Sequence, residues 1–227
     1  MSPHIELAAL DMAGTTVDEA GLVYRVLDQT VADAAGVPVP PDLLAHWKGT
    51  SKREAIAGLL AGLSADVSEP TVDKVYADFS TRLVTAYRET PPAPFPGVVE
   101  ALETLRSRGV RIALQTGYAH EIAASILAGL GWEVGPGALI ETVVTSDLVP
   151  VSRPAPYLIF RCMEATGVTS TQRVLVAGDT PNDLAAGVNA GARLVVGVLT
   201  GSFDASALGR ERHTHLLPGV AQLPEIL

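Results

Sequence analysis

Residues 5–18 read IELAALDMAGTTVD, and the interpretation of the whole chain starts from this stretch. An apolar run that ends abruptly in a carboxylate and a Gly-Thr-Thr turn is typical of a buried strand followed by a polar loop. Asp11 therefore stands at the carboxyl end of a strand, where open α/β sheets bind their ligands. Gly14, Thr15 and Thr16 supply N–H and hydroxyl groups that can hold a phosphate. Alone, the pattern also fits an Asx turn, so three later stretches decide its meaning.

Polar residues end or follow apolar runs at three later places. Gln115-Thr116-Gly117 ends one run, Arg153 stands before a helix-starting proline, and residues 177–183 read AGDTPND. In this order the four stretches resemble the motifs of the haloacid dehalogenase superfamily, and the match spans nearly the whole chain. Most members carry a second Asp two positions after the first, where this chain has Ala13. That departure, the Thr-Gly-Tyr at 116–118 and the Arg at 153 in place of Lys resemble the phosphonatase branch, which comprises phosphonoacetaldehyde hydrolase and its close relatives.

The composition predicts a soluble globular protein. The 227 residues are 48% hydrophobic, which is enough for one good core and a smaller inserted unit. A net charge of −9 without Lys or Arg clusters argues against nucleic acid and anionic membranes as partners and favours a small-molecule substrate. Neither a signal peptide nor a membrane span is indicated, so the cytoplasm is the predicted location.

The spacing of apolar residues divides the chain into two predicted domains. Between residues 19 and 91 they recur at helical intervals, which predicts about four helices and no strand. A Pro-rich segment near residues 91–97 is expected to be a stiff hinge. Elsewhere, repeated strand–helix units predict a doubly wound parallel sheet of the Rossmann-like α/β class. We therefore expect a catalytic core, residues 1–18 and 92–227, and an inserted all-helical cap domain, residues 19–91. The predicted strands of the core are 5–11, 110–115, 141–145, 173–177 and 193–198.

The carboxylates near the strand ends predict a magnesium site. Asp179 and Asp183 lie four residues apart at a strand-to-helix junction, and with Asp11 they would form the oxygen-rich pocket that Mg²⁺ accepts. On their own, the same two residues also fit the N-terminal cap of a helix. The resemblance implies that Asp11, the backbone carbonyl of Ala13 and Asp179 contact the metal, with Asp183 close by.

A transferred phosphoryl group needs donors and a cation. Thr116 ends an apolar strand, so its hydroxyl and the N–H of Gly117 can donate to phosphoryl oxygens. The chain has no lysine after Lys74, so the cationic role passes to an arginine, and Arg153 stands where the resemblance expects it. A guanidinium can bridge Asp11 and the substrate. The alternative for Arg153 is a surface position before a helix.

Ala13 decides which reaction the sequence predicts. An ester hydrolase needs an acid to protonate the leaving alkoxide, and a methyl group cannot do so. A carbon leaving group can depart as an enamine if the substrate carbonyl first forms an imine with a lysine. Gly49-Thr50-Ser51-Lys52 lies where phosphonatase places its imine-forming lysine, so we assign that role to Lys52 and substrate binding to Lys48. The segment also resembles the cap loop of phosphosugar phosphatases and mutases, and the alternative is that Lys52 binds substrate without a covalent bond. Burial and the charges of Lys48 and Arg53 are expected to lower the pKa of Lys52.

The predicted function is Mg²⁺-dependent hydrolysis of the C–P bond of a 2-oxoalkylphosphonate, through a Lys52 imine and an aspartyl phosphate on Asp11. Gly21 and Ala55 replace a Cys and a His of phosphonatase, which puts phosphonoacetaldehyde itself in doubt as the substrate. Tyr118 would pack over the aldehyde end of the substrate or cover the core.

Two alternatives stay open at this point. One is a phosphomonoester phosphatase that acts on a small phosphorylated metabolite, and the other is a binding protein with a decayed site. Apolar residues in the first predicted helix, among them Leu22 and Val26, would support a homodimer through the cap or fill the cap's own core.

Overall fold

The computed structural model describes residues 4–227, in which a six-stranded parallel sheet forms the larger part. The strands are β1 Leu7–Asp11, β2 Val17–Asp18, β3 Ala93–Pro94, β4 Arg111–Gln115, β5 Thr142–Val144, β6 Val174–Gly178, β7 Leu194–Val198 and β8 His215–Leu217. The helices are α1 Leu22–Ala35, α2 Pro41–Trp47, α3 Lys52–Gly62, α4 Glu69–Glu89, α5 Val98–Ser107, α6 His120–Leu130, α7 Tyr157–Thr166, α8 Pro181–Ala190 and α9 Ala205–Leu208. None of the helices in this described part combines the length and apolar character needed to cross a bilayer.

The strand order of the large sheet is β5-β4-β1-β6-β7-β8. Strand β1 is central and buried on both faces, because Ala8 and Leu10 pack into one apolar cluster while Leu7 and Ala9 pack into another. The chain order reverses at β1, with β4 on one side and β6 on the other. In open α/β sheets such a reversal leaves a crevice at the carboxyl ends of the strands. That crevice lies beside Asp11.

Helices α1 to α4 form the helical insert, residues 22–89, which leaves and rejoins the sheet through a short antiparallel pair. Strand β2 pairs with β3, with Val17 opposite Pro94 and Asp18 opposite Ala93. The insert has its own apolar interior, in which the buried face of α4 (Val72, Val75, Phe79, Leu83 and Tyr87) packs against α1 and α3. The interior is continuous with the apolar cluster that contains Ala8 and Leu10 of β1.

The predicted fold class is confirmed, and the predicted core strands occur within one or two residues of their expected ends. The structure describes four helices and no strand between residues 20 and 90, as expected. Strand β8 and the β2–β3 pair were not predicted. Strands β2 and β3 have only two residues each, which is too short for an alternating pattern of apolar and polar residues. In β3, Pro94 also lacks a backbone N–H donor.

Candidate active site

Three neighbouring strands bring the predicted residues to one place. Asp11 ends β1 and lies opposite Gln115 in the parallel register, so Thr116 follows immediately on the neighbouring strand. On the other side, Leu10 lies opposite Ala177, which places Asp179 just beyond the end of β6. Asp11, Thr116 and Asp179 are all buried, at 5%, 2% and 1% exposure. The crevice predicted from the strand order therefore contains the predicted polar side chains.

Arg153 is the buried cation of this crevice. Its Nη2 lies 2.6 Å from Asp11 Oδ1, and its Nη1 lies 2.7 Å from Asp183 Oδ1. The guanidinium also donates to Gln115 Oε1, to the Gln115 carbonyl and to the Gly49 carbonyl, at 3.1, 2.9 and 3.0 Å. Burial alone would lower the pKa of Arg153, but the Asp11 and Asp183 carboxylates raise it, so the side chain stays charged. The alternative surface position for Arg153 is wrong, because the residue is only 3% exposed.

Asp11, Asp179 and Asp183 form a buried carboxylate cluster. Each offers an oxygen within 4.8 Å of an oxygen of the others. Burial is the largest cause that raises the pKa of Asp179 and of Asp183, and for Asp179 the other two carboxylates add to it. Such crowding of like charges needs more positive charge than one guanidinium supplies.

The carboxylate cluster fits a hard divalent cation. Asp183 Oδ1 is buried and accepts no aligned hydrogen bond from the part of the chain that is described, although Arg153 Nη1 is close to it. Its Oδ2 accepts from the Thr180 hydroxyl and N–H, so Asp183 also forms the capping box of α8 that the sequence left open. Oxygen donors of this kind are those that Mg²⁺ takes. The three side chains would hold the ion, and the predicted Ala13 carbonyl remains untested as a ligand.

The turn after β1 allows the backbone to come close to the carboxylates. Gly14 has a φ of +81°, and a Cβ there would lie 2.6 Å from Asp179 Oδ2. A side chain at this position would therefore displace the carboxylate. Thr15 donates to Asp179 Oδ1 at 3.2 Å, and the Ser202 N–H donates to Oδ2 at 3.0 Å. Asp179 is thus held in place from both sides.

Lys52 begins α3 and points inward. It is 5% exposed, its Nζ donates to the Thr50 carbonyl at 3.1 Å, and the ammonium lies 5.3 Å from the ring centre of Tyr24 and 5.5 Å from that of Tyr118. Burial lowers the pKa of Lys52 to about 8; the charge of Asp11 opposes this shift, while that of Arg153 adds to it. The expected contribution of Arg53 is wrong, because that side chain is turned outward and donates to Asp73 at 2.8 Å.

Lys48 and Tyr118 lie around Lys52 on two sides. The Lys48 ammonium also lies near Tyr24, 4.9 Å from the ring centre, and burial is the main cause that lowers the pKa of Lys48. Tyr118 is 2% exposed and its hydroxyl lies 2.7 Å from that of Tyr87. Tyr118 therefore covers the core, as one of its two predicted roles requires, and it also lies beside Lys52; its packing over a substrate stays a prediction.

The helical insert closes directly over the crevice. The Lys52 N–H donates to the Gly117 carbonyl at 3.3 Å, and Asn182 donates to the Lys48 carbonyl at 2.7 Å. Gly117 has no room for a Cβ, because it would run into the Thr50 carbonyl oxygen. The loop between α2 and α3 is thus held to the segment after β4 by a backbone hydrogen bond and to the start of α8 by the Asn182 side chain.

Several residues of the site were missed by sequence reasoning. Gln115, Asn182, Glu19 and Tyr87 all contact the residues above or line their cavity. For Gln115 a signal existed, because one amide in an otherwise apolar buried strand needs a polar partner. For Glu19 there was none, since an acid in a loop is usually exposed.

Comparison with known proteins identifies the family. Residues 5–191 match the model of the haloacid dehalogenase-like hydrolases, and the chain belongs to that family. A phosphonoacetaldehyde hydrolase from Parabacteroides distasonis is 34% identical over 85% of this chain and 75% of its own length. A phosphoglycolate phosphatase from Agrobacterium fabrum is 30% identical over 83% of this chain and 78% of its own length. The protein is therefore a hydrolase whose relatives include both kinds of enzyme.

Solved structures agree with this fold. A phosphonoacetaldehyde hydrolase-like protein from Oleispira antarctica superposes with a TM-score of 0.81 at 21% identity, covering 99% of this chain and 91% of its own. A hydrolase from Pseudomonas syringae gives a TM-score of 0.84 at 20% identity, covering 97% of this chain and 96% of its own. At these identities the likeness concerns the fold alone.

Proposed function

We propose that this hydrolase uses Mg²⁺ and cleaves the C–P bond of a 2-oxoalkylphosphonate through an imine on Lys52. The observation that carries the proposal is the position of Lys52, buried inside the crevice with its Nζ held by the Thr50 carbonyl. With a pKa of about 8, roughly one Lys52 in ten is unprotonated at pH 7, whereas an ordinary lysine is unprotonated in about one of 2500 molecules. The amine is thus available to attack a carbonyl.

Ala13 supports a carbon leaving group. It lines the same cavity as Gly14 and Asp179, and its methyl group cannot protonate an alkoxide. When the Lys52 nitrogen has replaced the carbonyl oxygen, the iminium accepts the electron pair of the C–P bond, and the carbon leaves as an enamine. Thus the missing acid and the buried amine favour the same reaction.

The phosphoryl group would be transferred to Asp11. Its carboxylate attacks phosphorus, and Arg153, which already donates to Asp11, supplies positive charge to the phosphoryl oxygens. The Thr116 hydroxyl accepts from the Tyr118 N–H at 3.1 Å, so its own proton can be donated to substrate. The Gly117 N–H is a further donor, whereas the N–H groups of Gly14 and Thr15 already donate to the Val17 and Met12 carbonyls at 2.9 and 3.2 Å. Mg²⁺ held by Asp11, Asp179 and Asp183 would offset the negative charge that accumulates around phosphorus. Water then hydrolyses the aspartyl phosphate.

The helical insert would act as the cap of this site, with residues 19–91 as the cap domain and residues 1–18 and 92–227 as the core. The β2–β3 pair supports this division, because the chain leaves and re-enters the core there. Lys48 would bind the substrate from the cap side, and Tyr118 would flank its carbonyl end. A cap-mediated homodimer and a cytoplasmic location remain predictions, and Leu22 and Val26 are half-buried against the insert's own interior.

Borohydride trapping tests the proposal. Phosphonoacetaldehyde and its 2-oxoalkyl homologues are offered with Mg²⁺, and phosphate release is measured with and without borohydride. We expect borohydride to stop phosphate release and to attach the reduced carbon fragment to Lys52, identified by peptide mass. Lys52→Arg keeps the charge but cannot form the imine, so it should lose both signals, while Lys48→Arg should keep the label. A fully active, unlabelled protein would refute the imine.

A second candidate is a phosphomonoester phosphatase, favoured by the 30% identity to the phosphoglycolate phosphatase. In that case the Lys52 ammonium would bind an anionic group without a covalent bond. Steady turnover of 2-phosphoglycolate or other small phosphate esters, retained in Lys52→Arg, would favour this candidate. Loss of phosphonate hydrolysis in Lys52→Arg, with no ester turnover in the parent protein, favours the first.

A further inference from the structure

Glu19 is a buried carboxylate to which the proposed function gives no task. It is 6% exposed and lies between β2 and α1. The two residues after it, Ala20 and Gly21, have φ values of +53° and +69°. A left-handed alanine is uncommon, and such conformations persist where the surrounding structure imposes them, often near functional sites. The backbone turn thus directs Glu19 inward.

Glu19 borders a cavity next to the carboxylate cluster, and one of its walls is Tyr24, whose ring centre lies 5.3 Å from Lys52 Nζ. The cavity has a volume of about 420 Å³, and Ala13, Gly14, Tyr24 and Asp179 are among its other walls. The methyl group at position 13 and the carboxyl group of Glu19 therefore face one space. Position 13 thus contributes no acid to this cavity, whereas Glu19 contributes one.

The contacts of Glu19 lead towards Lys52. Its Oε2 accepts from the Val23 N–H at 2.7 Å and from the Tyr87 hydroxyl at 3.4 Å. Tyr87 in turn contacts Tyr118, whose ring flanks the Lys52 ammonium. Burial is the main cause that raises the pKa of Glu19, and the positive charge of Lys52 works against it. The carboxyl group thus interacts electrostatically with the Lys52 ammonium, and it holds a proton more readily than an exposed glutamate does.

We propose that Glu19 is the acid that completes imine formation on Lys52, an inference that rests on the proposed function. After the Lys52 nitrogen has bonded to the carbonyl carbon, the resulting hydroxyl group must leave. Glu19 donates its proton to that hydroxyl, the C–O bond breaks, water departs, and the iminium remains beside a Glu19 carboxylate. Later the enamine carbon takes a proton from solvent to give the product iminium, water adds to this iminium, and Glu19 takes a proton from that water. The C–N bond then breaks as the new hydroxyl proton passes to the lysine nitrogen, and Glu19 is again an acid.

The test separates imine formation from phosphoryl transfer. Glu19→Gln keeps an oxygen that accepts from the Val23 N–H, so the start of α1 is retained while the acid is lost. We expect the rate of borohydride trapping with a 2-oxoalkylphosphonate and kcat for phosphate release to fall about 10² to 10⁴-fold. Mg²⁺-dependent hydrolysis of p-nitrophenyl phosphate, whose leaving group needs no proton, should stay within about twofold of the parent rate. Glu103→Gln, the same change at an exposed glutamate of α5, is the control and should leave trapping unchanged.

A second variant distinguishes chemistry from structure. Glu19→Ala opens space in the cavity. Added formate should therefore raise the rate of trapping in this variant and leave the rate in the parent protein unchanged. A purely structural role of Glu19 would not produce such a rescue. Trapping in Glu19→Gln at the parent rate would overturn the inference while leaving the Lys52 imine intact. If the parent protein shows no trapping at all, the proposed function fails instead. If Glu19→Gln loses only alkyl phosphate turnover, Glu19 is an acid for esters, and the imine role is overturned.

Discussion

The Nη2 atom of Arg153 lies 2.6 Å from Oδ1 of Asp11, and both side chains are buried within the crevice. The guanidinium thus holds Oδ1 of Asp11 in place, and the other carboxylate oxygen is left for the proposed attack on phosphorus. The same guanidinium reaches Asp183 and the Gly49 carbonyl, so it joins both carboxylates to the helical insert. Arg153 therefore both orients the proposed nucleophile and links the two parts of the protein.

Arg153→Lys is expected to lower kcat for phosphate release about 10² to 10³-fold, the usual effect of losing a donor that faces developing charge. A lysine ammonium keeps the charge but cannot reach Asp11, Gln115 and Gly49 at once. The melting temperature should fall only modestly, because the charge is retained. Arg161→Lys, an exposed arginine on α7, is the matched control and should change neither quantity. Equal activity of Arg153→Lys and the parent would contradict the bridging role.

Gly117→Ala is expected to weaken the contact between the insert and the sheet. Its Cβ would meet the Thr50 carbonyl, and the hydrogen bond from the Lys52 N–H to the Gly117 carbonyl would lengthen. Since a displacement of about 1 Å can cost about 10²-fold, we expect kcat/KM for the phosphonate to drop by this factor. The clash lies between the insert and the sheet, so the chain should still fold, with near-native circular dichroism.

Gly129→Ala is the control for this substitution. Gly129 lies in α6 with open space around its Cβ position. Alanine there should stabilise the helix by about 0.5–1 kcal/mol and leave catalysis unchanged. A Gly117→Ala protein with the same kinetic constants as Gly129→Ala would show that the insert does not need this close approach.

The strand ends of the site could be predicted because their physical signal is local. An apolar run that stops at Asp11, Thr116 or Asp179 defines both a strand and the edge of the sheet where it ends. Chain order then places β4 and β6 next to β1 by the usual rules for parallel sheets. The direction of a helical side chain is a different matter. Successive residues of a helix point about 100° apart, so Lys52 faces inward while its sequence neighbour Arg53 faces Asp73.

Glu19 and Arg153 illustrate what the sequence leaves out. Arg153, whose charge lowers the pKa of Lys52, lies in the loop before α7, far from Lys52 in the chain, and only the folded structure brings the two side chains near each other. Glu19 is buried by a left-handed alanine, and alanine carries no preference for that conformation. Tertiary contacts impose both features, so no local pattern reports them.

Stability should depend on pH and Mg²⁺ together. Without the metal, burial raises the pKa of Asp179 and Asp183 above 3.8, so the folded protein holds protons that the unfolded chain has released. The contribution of these groups to the free energy of unfolding is present below about pH 4 and is lost as pH rises through their raised values. A divalent cation requires ionised carboxylates, so its stabilising effect should grow over the same range.

Thermal unfolding with and without saturating Mg²⁺ checks this expectation. The increase in melting temperature should be larger at about pH 8 than at about pH 5. Asp179→Asn should abolish most of the increase, whereas Asp42→Asn, an exposed residue of α2, should leave it intact. An increase of the same size at both pH values would argue against metal binding at these carboxylates.

Ala13→Asp should turn the site towards phosphate esters. Position 13 borders the cavity next to Gly14 and Asp179, so a carboxylic acid there would reach a leaving group bound in that space. A positioned acid contributes about 10² to 10⁴-fold, and only leaving groups that need a proton benefit from it. Turnover of an alkyl phosphate should therefore rise relative to that of p-nitrophenyl phosphate, whose leaving group departs unprotonated. Ala13→Asn has nearly the same size without the proton, and it should leave this ratio at the parent value. If both variants raised the ratio equally, the added volume and not the acid would be responsible, and the alanine at position 13 would not be what selects a carbon leaving group.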